Sequence, residues 1–545
     1  MTLERSTPQR PCSAHVDRYA IEHLPPREQW PEMLFELPEL QFPPRLNCAF
    51  ELLDRAVAAG RGERLCIQGA GVCWSYADLQ AQVNRIARVL VDELGVVPGN
   101  RVLLRGANSP MLAACWCAVV KAGAIAVGSM PLLRARELSA IIDKAQISHA
   151  LCDERLAEEL ESARIACSTL TRIVPYGQGR GELEARAANQ PPRFEAVETG
   201  AEDIALIAFT SGTTGVPKGA MHSHRDVMAA CACWPAHVLR PRPEDIFIGS
   251  PPLAFTFGLG GLLLFPLAAG ASTVLVEKAS PDALPAAIEQ YRATVCFTAP
   301  TSYRAIAAQA GRHDLRSLRL CVSAGEALPA ATRTAWKAAT GIEIIDGIGS
   351  TELLHIFISA DAAQARPGAT GLPVPGYRAA ILDEQGRELP PGRVGRLAIK
   401  GPTGCRYLAD PRQTQYVQNG WNLTGDAYRV AADGQYEYQA RTDDMIVSGG
   451  YNIAGPEVEG ALLLHPAVAE CGVVGVPDEA RGMAVKAYIV PRPGFEAGPD
   501  LVRDLQDFVK RTIAPYKYPR RIEFRAALPR TETGKLQRFK LRDGG

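Results

Sequence analysis

The chain has 545 residues, too many for one hydrophobic core, so two or more domains are expected. Its 59 basic and 59 acidic side chains cancel, which excludes a general electrostatic attraction to nucleic acid or an anionic membrane, and its 47% hydrophobic and 22% charged content is that of a soluble globular enzyme. Its 14 cysteines form no C-x-x-C pair, and Cys115/Cys117 and Cys231/Cys233 lie in apolar or Ala-rich surroundings, so they read as buried free thiols rather than zinc ligands or disulfides.

In chain order, residues 1–12 are polar and carry no apolar core segment, so no secretory signal is expected. Residues 77–94 read as a helix with Leu79, Val83, Ile86, Val89 and Leu90 on one side. Residues 101–104 read as a strand, 111–122 as an apolar helix and 204–208 as a buried strand. The longest apolar stretch, around 259–269, holds Gly260, Gly261 and Pro266 and is too short to span a bilayer, so a cytoplasmic location is expected. Residues 274–277, 294–297, 318–322 and 342–345 read as further buried strands, and the Ala-rich run 327–339 as helix. This rhythm predicts an α/β architecture with largely parallel sheets from about residue 47 to 360. Residues 376–401 change to strands and turns, with turns at 383–386 and 390–392, as in a small β-rich subdomain. After Arg441, residues 456–464 and 501–513 read as helices and 471–474 and 487–490 as strands, which suits a separate α+β domain. No internal repeat or low-complexity tract interrupts the chain.

Five segments carry chemistry. The first, Phe209-Thr210-Ser211-Gly212-Thr213-Thr214-Gly215-Val216-Pro217-Lys218-Gly219, follows a buried strand and packs three glycines, four hydroxyls and a lysine into one loop. Glycine lets backbone N–H groups close on an anion, while the hydroxyls and the ammonium add donors, so the loop suits the phosphates of a nucleotide. It is not the Walker loop, because Pro217 precedes Lys218 and Gly219 follows it. The others are Ser323-Ala324-Gly325-Glu326-Ala327-Leu328, Asp346-Gly347-Ile348-Gly349-Ser350-Thr351-Glu352, Gly420-Trp421-Asn422-Leu423-Thr424-Gly425-Asp426 and Leu528-Pro529-Arg530-Thr531-Glu532-Thr533-Gly534-Lys535. Two of them follow buried strands, where parallel α/β sheets hold their ligands.

Together and in this order, the five segments resemble the ANL superfamily of adenylate-forming enzymes, over about residues 47–538. The resemblance implies a large N-terminal domain (1–440) of two α/β sheets plus a distorted β-barrel. A hinge at 441–444 and a small mobile α+β domain (445–545) carrying Lys535 would follow. It implies that Thr210, Ser211, Gly212, Thr213, Thr214, Gly215 and Lys218 wrap the β- and γ-phosphates of ATP. Gly325, Glu326 and Ala327 would line the adenine pocket, with Asp346 and Gly347 by the adenine amino group. Thr351 would meet the α-phosphate, Glu352 would help hold Mg²⁺, Asp426 would bind the ribose, and Arg441 would contact the nucleotide. Asp443 matches the hinge, Gly449-Gly450-Tyr451 the wall of a tunnel for the pantetheine arm of coenzyme A, and Lys535 the cation bridging acyl carboxylate and α-phosphate. Three positions depart from the usual motifs: Ile348 replaces a tyrosine, Ala440 a glycine and Val447 a lysine.

The stretch from Asp346 to Phe357 is similar to benzoate-CoA ligases. Residues 23–31, 37–40 and 251–258 look closest to 2-aminobenzoate-CoA ligases within that group. The resemblance therefore implies an aromatic acid, ATP and coenzyme A as substrates, with an acid pocket of Phe255, Phe257, Ile348, Gly349 and His355. For His355 a place in the core stays open beside a place at the acid. Benzoate, another aryl acid or a medium-chain acid remains an alternative substrate. A carrier protein is the less favoured acceptor, since the chain stops soon after Lys535 and has no carrier domain of its own, and a homodimer is compatible with the reading.

Overall fold

Strands buried on both faces organise the N-terminal part. Arg101–Arg105 and His149–Asp153 bury every residue, as strands of a parallel sheet covered on both faces must. In the computed structural model, which describes residues 13–177, 181–210, 217–442, 444–448, 451–478, 482–513, 515–530 and 536–543, they belong to a six-stranded sheet. Its order is Arg172–Tyr176, His149–Asp153, Arg101–Arg105, Ile125–Ser129, Ile204–Thr210, Lys218–Ser223. All its pairs are parallel except the last, a hairpin in which Lys218 stands opposite Thr210.

A nine-stranded sheet has a parallel centre of Leu65–Gly69, Ser272–Val274, Ile246–Gly249, Val295–Thr298, Leu320–Ser323 and Ile344–Gly349. Antiparallel strands flank it: Val72–Ser75 on one side, Ile356–Ser359 and Leu372–Pro373 on the other. A third, five-stranded antiparallel sheet joins Arg378–Leu382, Gly395–Lys400, Val417–Gln418, Trp421–Val430 and Tyr436–Arg441. The C-terminal region builds its own sheet from Ile446–Ser448, Tyr451–Ile453, Val468–Asp478, Gly482–Pro491 and Arg521–Phe524.

Local chemistry sets the helix ends. Tyr76–Arg88 starts at a capping box between Ser75 and Asp78 and buries Leu79, Val83 and Ile86, then passes into a wider turn, Val89–Glu93. Pro110–Lys121 opens with proline at its first position, where no N–H is needed, and is buried almost all round. The expected helix at 327–339 begins only at Ala330, because Pro329 keeps the residue before it out of helical geometry, and it ends at Gly341 with φ 75°. The expected strand at 274–277 lies at Ser272–Val274. The expected strands at 471–474 and 487–490 are the middles of a long antiparallel pair, Val468–Asp478 with Gly482–Pro491. Polar Glu470 and Lys486 interrupt the two strands, so no apolar run marks their length.

The N-terminal segment wraps the outside of this body. Glu32 N–H donates to the Gly420 carbonyl and Leu34 N–H to the Gly401 carbonyl, both at 2.9 Å. The Trp30 ring lies 5.1 Å from the buried Arg406 guanidinium.

Candidate active site

A cavity of about 1840 Å³ opens where the large sheet's central strands end and the C-terminal region faces them. It is lined by Thr210, Lys218, Gly325, Glu326, Ala327, Asp346, Gly347, Ile348, Gly349, Thr351, Glu352, Asp426 and Arg441. Residues from five distant stretches thus converge on one space, as expected at the carboxyl ends of parallel strands. Ser211 to Gly215, Asp443, Gly449, Gly450, Lys535 and the Tyr451 side chain lie outside the described residues.

One end of the cavity is built to meet anions and a cation. Thr210 closes its strand with a buried Oγ1 that has no partner among the described residues, and Lys218 opens the next strand directly opposite. Lys218 Nζ lies 3.7 Å from Glu352 Oε1 and 5.0 Å from the centre of the Tyr407 ring. Tyr407 donates its hydroxyl to the same Oε1 at 2.5 Å. The turn carrying Thr351 and Glu352 is fixed from several sides. Ser350 caps it by accepting from Leu353 N–H, His222 Nε2 donates to the Thr351 carbonyl at 2.7 Å, and Thr403 donates to the Leu353 carbonyl at 2.8 Å. Burial, reinforced by Arg406, pulls the His222 pKa down to about 3, so its ring is neutral and Nε2 carries the proton that the carbonyl receives. Leu354 leaves the turn at φ 70°, a strained geometry for a branched residue that these bonds hold in place.

The other end suits a nucleoside. Burial pushes the Asp346 carboxyl up to about 7, against a weaker pull from Arg333, and its Oδ1 has no hydrogen-bond partner among the described residues. A buried acceptor without a donor in a cavity wall marks a place where a ligand donor completes the pairing. Gly325, with φ 89°, turns the chain after Leu320–Ser323. Asp426 and Arg441 stand opposite each other across two strands, with Arg441 Nη1 3.3 Å from Asp426 Oδ1 and 3.0 Å from the Thr424 carbonyl. Gly425 makes room for that guanidinium, since a Cβ there would sit 2.6 Å from Arg441 Nη2.

The expected acid pocket separates into two groups. Ile348 and Gly349 line the cavity, but Phe255, Phe257 and His355 do not. His355 is enclosed by aromatic rings, with centroids 4.5 Å from Phe265, 5.5 Å from Trp234 and 5.7 Å from Phe257. Burial pulls its pKa down to about 3, so a neutral flat ring packs among flat rings. A weak contact with the Phe257 backbone opposes that shift, but among the described residues neither ring nitrogen makes a hydrogen bond of good geometry, and the Trp234 indole N–H lacks one too. Gly349 links the groups: a Cβ at this position would meet the His355 carbonyl oxygen at 2.6 Å. Sequence reasoning missed Tyr407, His222 and Trp234. The first two act on a turn distant in sequence, and only the close spacing of Trp234 to the Cys231/Cys233 pair drew attention to that stretch.

The C-terminal region faces the same cavity. Arg530 Nη1 lies 3.8 Å from Glu326 Oε1, and Leu536 and Arg538 are among the lining residues. Among the described residues no helix is long and apolar enough to cross a membrane.

Comparison with known proteins agrees with this geometry. Residues 53–407 match the family model described as AMP-binding enzyme, and residues 457–535 match that described as AMP-binding enzyme C-terminal domain. The chain is 37% identical to benzoate–CoA ligase of Thauera aromatica over 514 residues, covering 93% of this chain and 97% of that one. The crystal structure of the anthranilate CoA ligase AuaEII in complex with anthranoyl-AMP superposes with a TM-score of 0.89 at 37% identity, covering 93% of this chain and 99% of that one. A benzoate CoA ligase structure from Burkholderia xenovorans LB400 gives 0.83 at 31% identity, covering 91% and 99%.

Proposed function

The chain belongs to the AMP-binding enzyme family, and from that membership we propose that it is an AMP-forming aryl-CoA ligase whose acid is 2-aminobenzoate. The observation that carries the reading is one cavity with a lysine and a carboxylate at one end, two nucleoside-facing carboxylates at the other, and Ile348 and Gly349 in its wall. Support for the 2-aminobenzoate assignment comes from the likeness to the anthranoyl-AMP complex and from the buried His355 and Trp234 rings, whose nitrogens lack partners among the described residues and whose segment packs its His355 carbonyl against Gly349.

In the first step a carboxylate oxygen of the acid bonds to the α-phosphorus of ATP and the bond to the bridging oxygen of pyrophosphate breaks. The product is an aryl adenylate. Lys535 stands between two anions that repel each other and stabilises the charge that develops on the α-phosphoryl oxygens. Thr351 donates to that phosphoryl group, while Thr210, the 211–215 loop and Lys218 hold the departing pyrophosphate. Asp426 accepts from the ribose hydroxyls and Asp346 from the adenine amino group.

Among the described residues no group of three His, Cys, Asp or Glu could hold a metal by itself. A single carboxylate, Glu352, at the phosphate end nevertheless fits Mg²⁺, which is bound through one or two carboxylates together with substrate phosphates. When bound, Mg²⁺ would neutralise charge on the leaving pyrophosphate. In the second step the thiol of coenzyme A attacks the adenylate carbonyl, the C–O bond to AMP breaks, and the thiol proton leaves to solvent. The hinge at 441–444 turns the C-terminal domain between the steps, withdrawing Lys535 and bringing Gly449-Gly450-Tyr451 to the pantetheine arm.

The test is a pyrophosphate-exchange and thioester assay with 2-aminobenzoate, benzoate and a medium-chain acid, each offered coenzyme A and a carrier protein. The expected result is exchange and coenzyme A thioester formation with the highest kcat/KM for 2-aminobenzoate. Exchange with no acid in the panel would overturn the ligase reading, and preference for benzoate would overturn the 2-amino assignment alone.

A further inference from the structure

We propose that Tyr407 is the positioning residue of the metal–phosphate end, its hydroxyl fixing the Glu352 carboxylate while its ring face carries Lys218. The inference rests on the adenylating reading above and adds a residue to it.

Tyr407 is 1% exposed and donates its hydroxyl to Glu352 Oε1 at 2.5 Å. The Lys218 ammonium 3.7 Å from the same oxygen would otherwise be the obvious partner of Glu352. Instead the tyrosine occupies Oε1 and offers Lys218 an aromatic face 5.0 Å away. Both contacts use Oε1, and Oε2 makes no hydrogen bond to the described residues, which leaves it for a cation.

The seat of Tyr407 is rigid in turn. Its N–H donates to Gln413 Oε1 at 2.9 Å, and Gln413 Nε2 reaches the carbonyls of Cys405 and Gln29. Its ring meets Tyr416 edge-on at 5.8 Å, and the Tyr416 hydroxyl bonds Ser350 Oγ at 3.1 Å. Two tyrosines of one segment therefore support the turn that carries Thr351 and Glu352. A residue that only filled core volume would not need the hydroxyl, since phenylalanine fills the same space.

The experiment titrates Mn²⁺, read by its electron paramagnetic resonance signal, into wild type, Tyr407→Phe, Glu352→Gln and the double variant, each with saturating ATP. AMP binding without metal is measured alongside by calorimetry. Tyr407→Phe is expected to weaken Mn²⁺ binding about tenfold, the effect of losing one hydrogen bond to a charged group. AMP binding should stay at the wild-type value, and Tyr407→Phe should add no further loss in the Glu352→Gln background. Tyr407→Leu, which also removes the ring under Lys218, should in addition weaken metal-free ATP binding. Unchanged Mn²⁺ affinity in Tyr407→Phe, an equal further loss in the Glu352→Gln background, or a parallel fall in AMP binding would overturn the inference. A wild type that binds no ATP–Mn²⁺ would overturn the adenylating reading itself.

Discussion

At the scale of the residue, two buried titratable groups make opposite statements about pH. Burial holds the folded Asp346 pKa near 7 against the 3.8 of an ordinary aspartate, so between those values the native state holds protons that the unfolded chain has released. Stability therefore falls as pH rises through that window, by about 4 kcal/mol at most, since one pKa unit is worth about 1.4 kcal/mol. Asp346→Asn should flatten the slope of unfolding free energy between pH 4 and 7, measured by urea denaturation. The adenine amino group would complete the missing hydrogen bond best with the ionised carboxylate. AMP binding at pH 7 should then release about half a proton, detected by calorimetry in buffers of differing ionisation enthalpy, and the asparagine variant should release none. A wild type without proton release would remove Asp346 from the adenine amino group. His355, held neutral far above its pKa of about 3, can only act as a dipole at working pH. His355→Leu should lower kcat/KM for 2-aminobenzoate at least about tenfold more than for benzoate, because a site that pairs with a substituent loses discrimination when the pairing group goes. An equal fall for both acids would leave the imidazole a purely structural member of its aromatic cluster.

At the scale of the element, residues 401–416 decide whether the turn carrying Thr351 and Glu352 is held. Arg406 is fully buried, ion-paired with Asp226 of the helix His224–Ala232, and covered by Trp30 of the N-terminal wrap. Asp226 also accepts from Ser223 N–H as part of that helix's capping box. Asp226→Ala would leave a buried guanidinium unpaired and remove the side-chain half of the capping box, a loss of about 3–5 kcal/mol in unfolding free energy. Because Tyr407 follows Arg406 directly, metal-dependent ATP binding should fall in the same variant, while a stability within about 1 kcal/mol of wild type would show that the pair carries little. These elements also show how far the sequence is readable. The parallel strands were legible because each is a short apolar run, and the strand-end glycines and carboxylates were legible because their residue types suit a nucleotide. The support behind them was not. Tyr407 reaches Glu352 across 55 positions and His222 reaches the Thr351 carbonyl across 129, and a lone tyrosine or histidine beside a buried strand carries no local mark of its partner. The enclosure of His355 was equally hidden, since Trp234, Phe257 and Phe265 come from a stretch whose apolar pattern reads only as core.

At the scale of the whole molecule, the question is what the docked C-terminal region does for each half of the reaction. Arg304, on the helix Pro300–Ala307 of the N-terminal domain, donates to the Val468 carbonyl, to which Arg492 also donates. Arg530 approaches Glu326, a residue assigned to the adenine pocket. Arg530 and Leu536 pair as an isolated bridge, and both line the cavity. Arg530 and Leu536 therefore stand at the cavity wall, and the proposed first step needs a cation that meets the α-phosphate and the acid carboxylate together. Thiol transfer makes no such demand, because the adenylate is already formed and the leaving AMP needs no cation between two repelling reactants. Lys535→Ala should accordingly lower the rate of pyrophosphate exchange by about 10²–10³, the cost of deleting one preorganised group at a developing charge. Transfer from chemically prepared 2-aminobenzoyl-AMP to coenzyme A should change by less than about threefold, well under 1 kcal/mol of barrier. Equal losses in both assays would mean that Lys535 serves the two steps alike, and the proposed domain turn about 441–444 would be overturned.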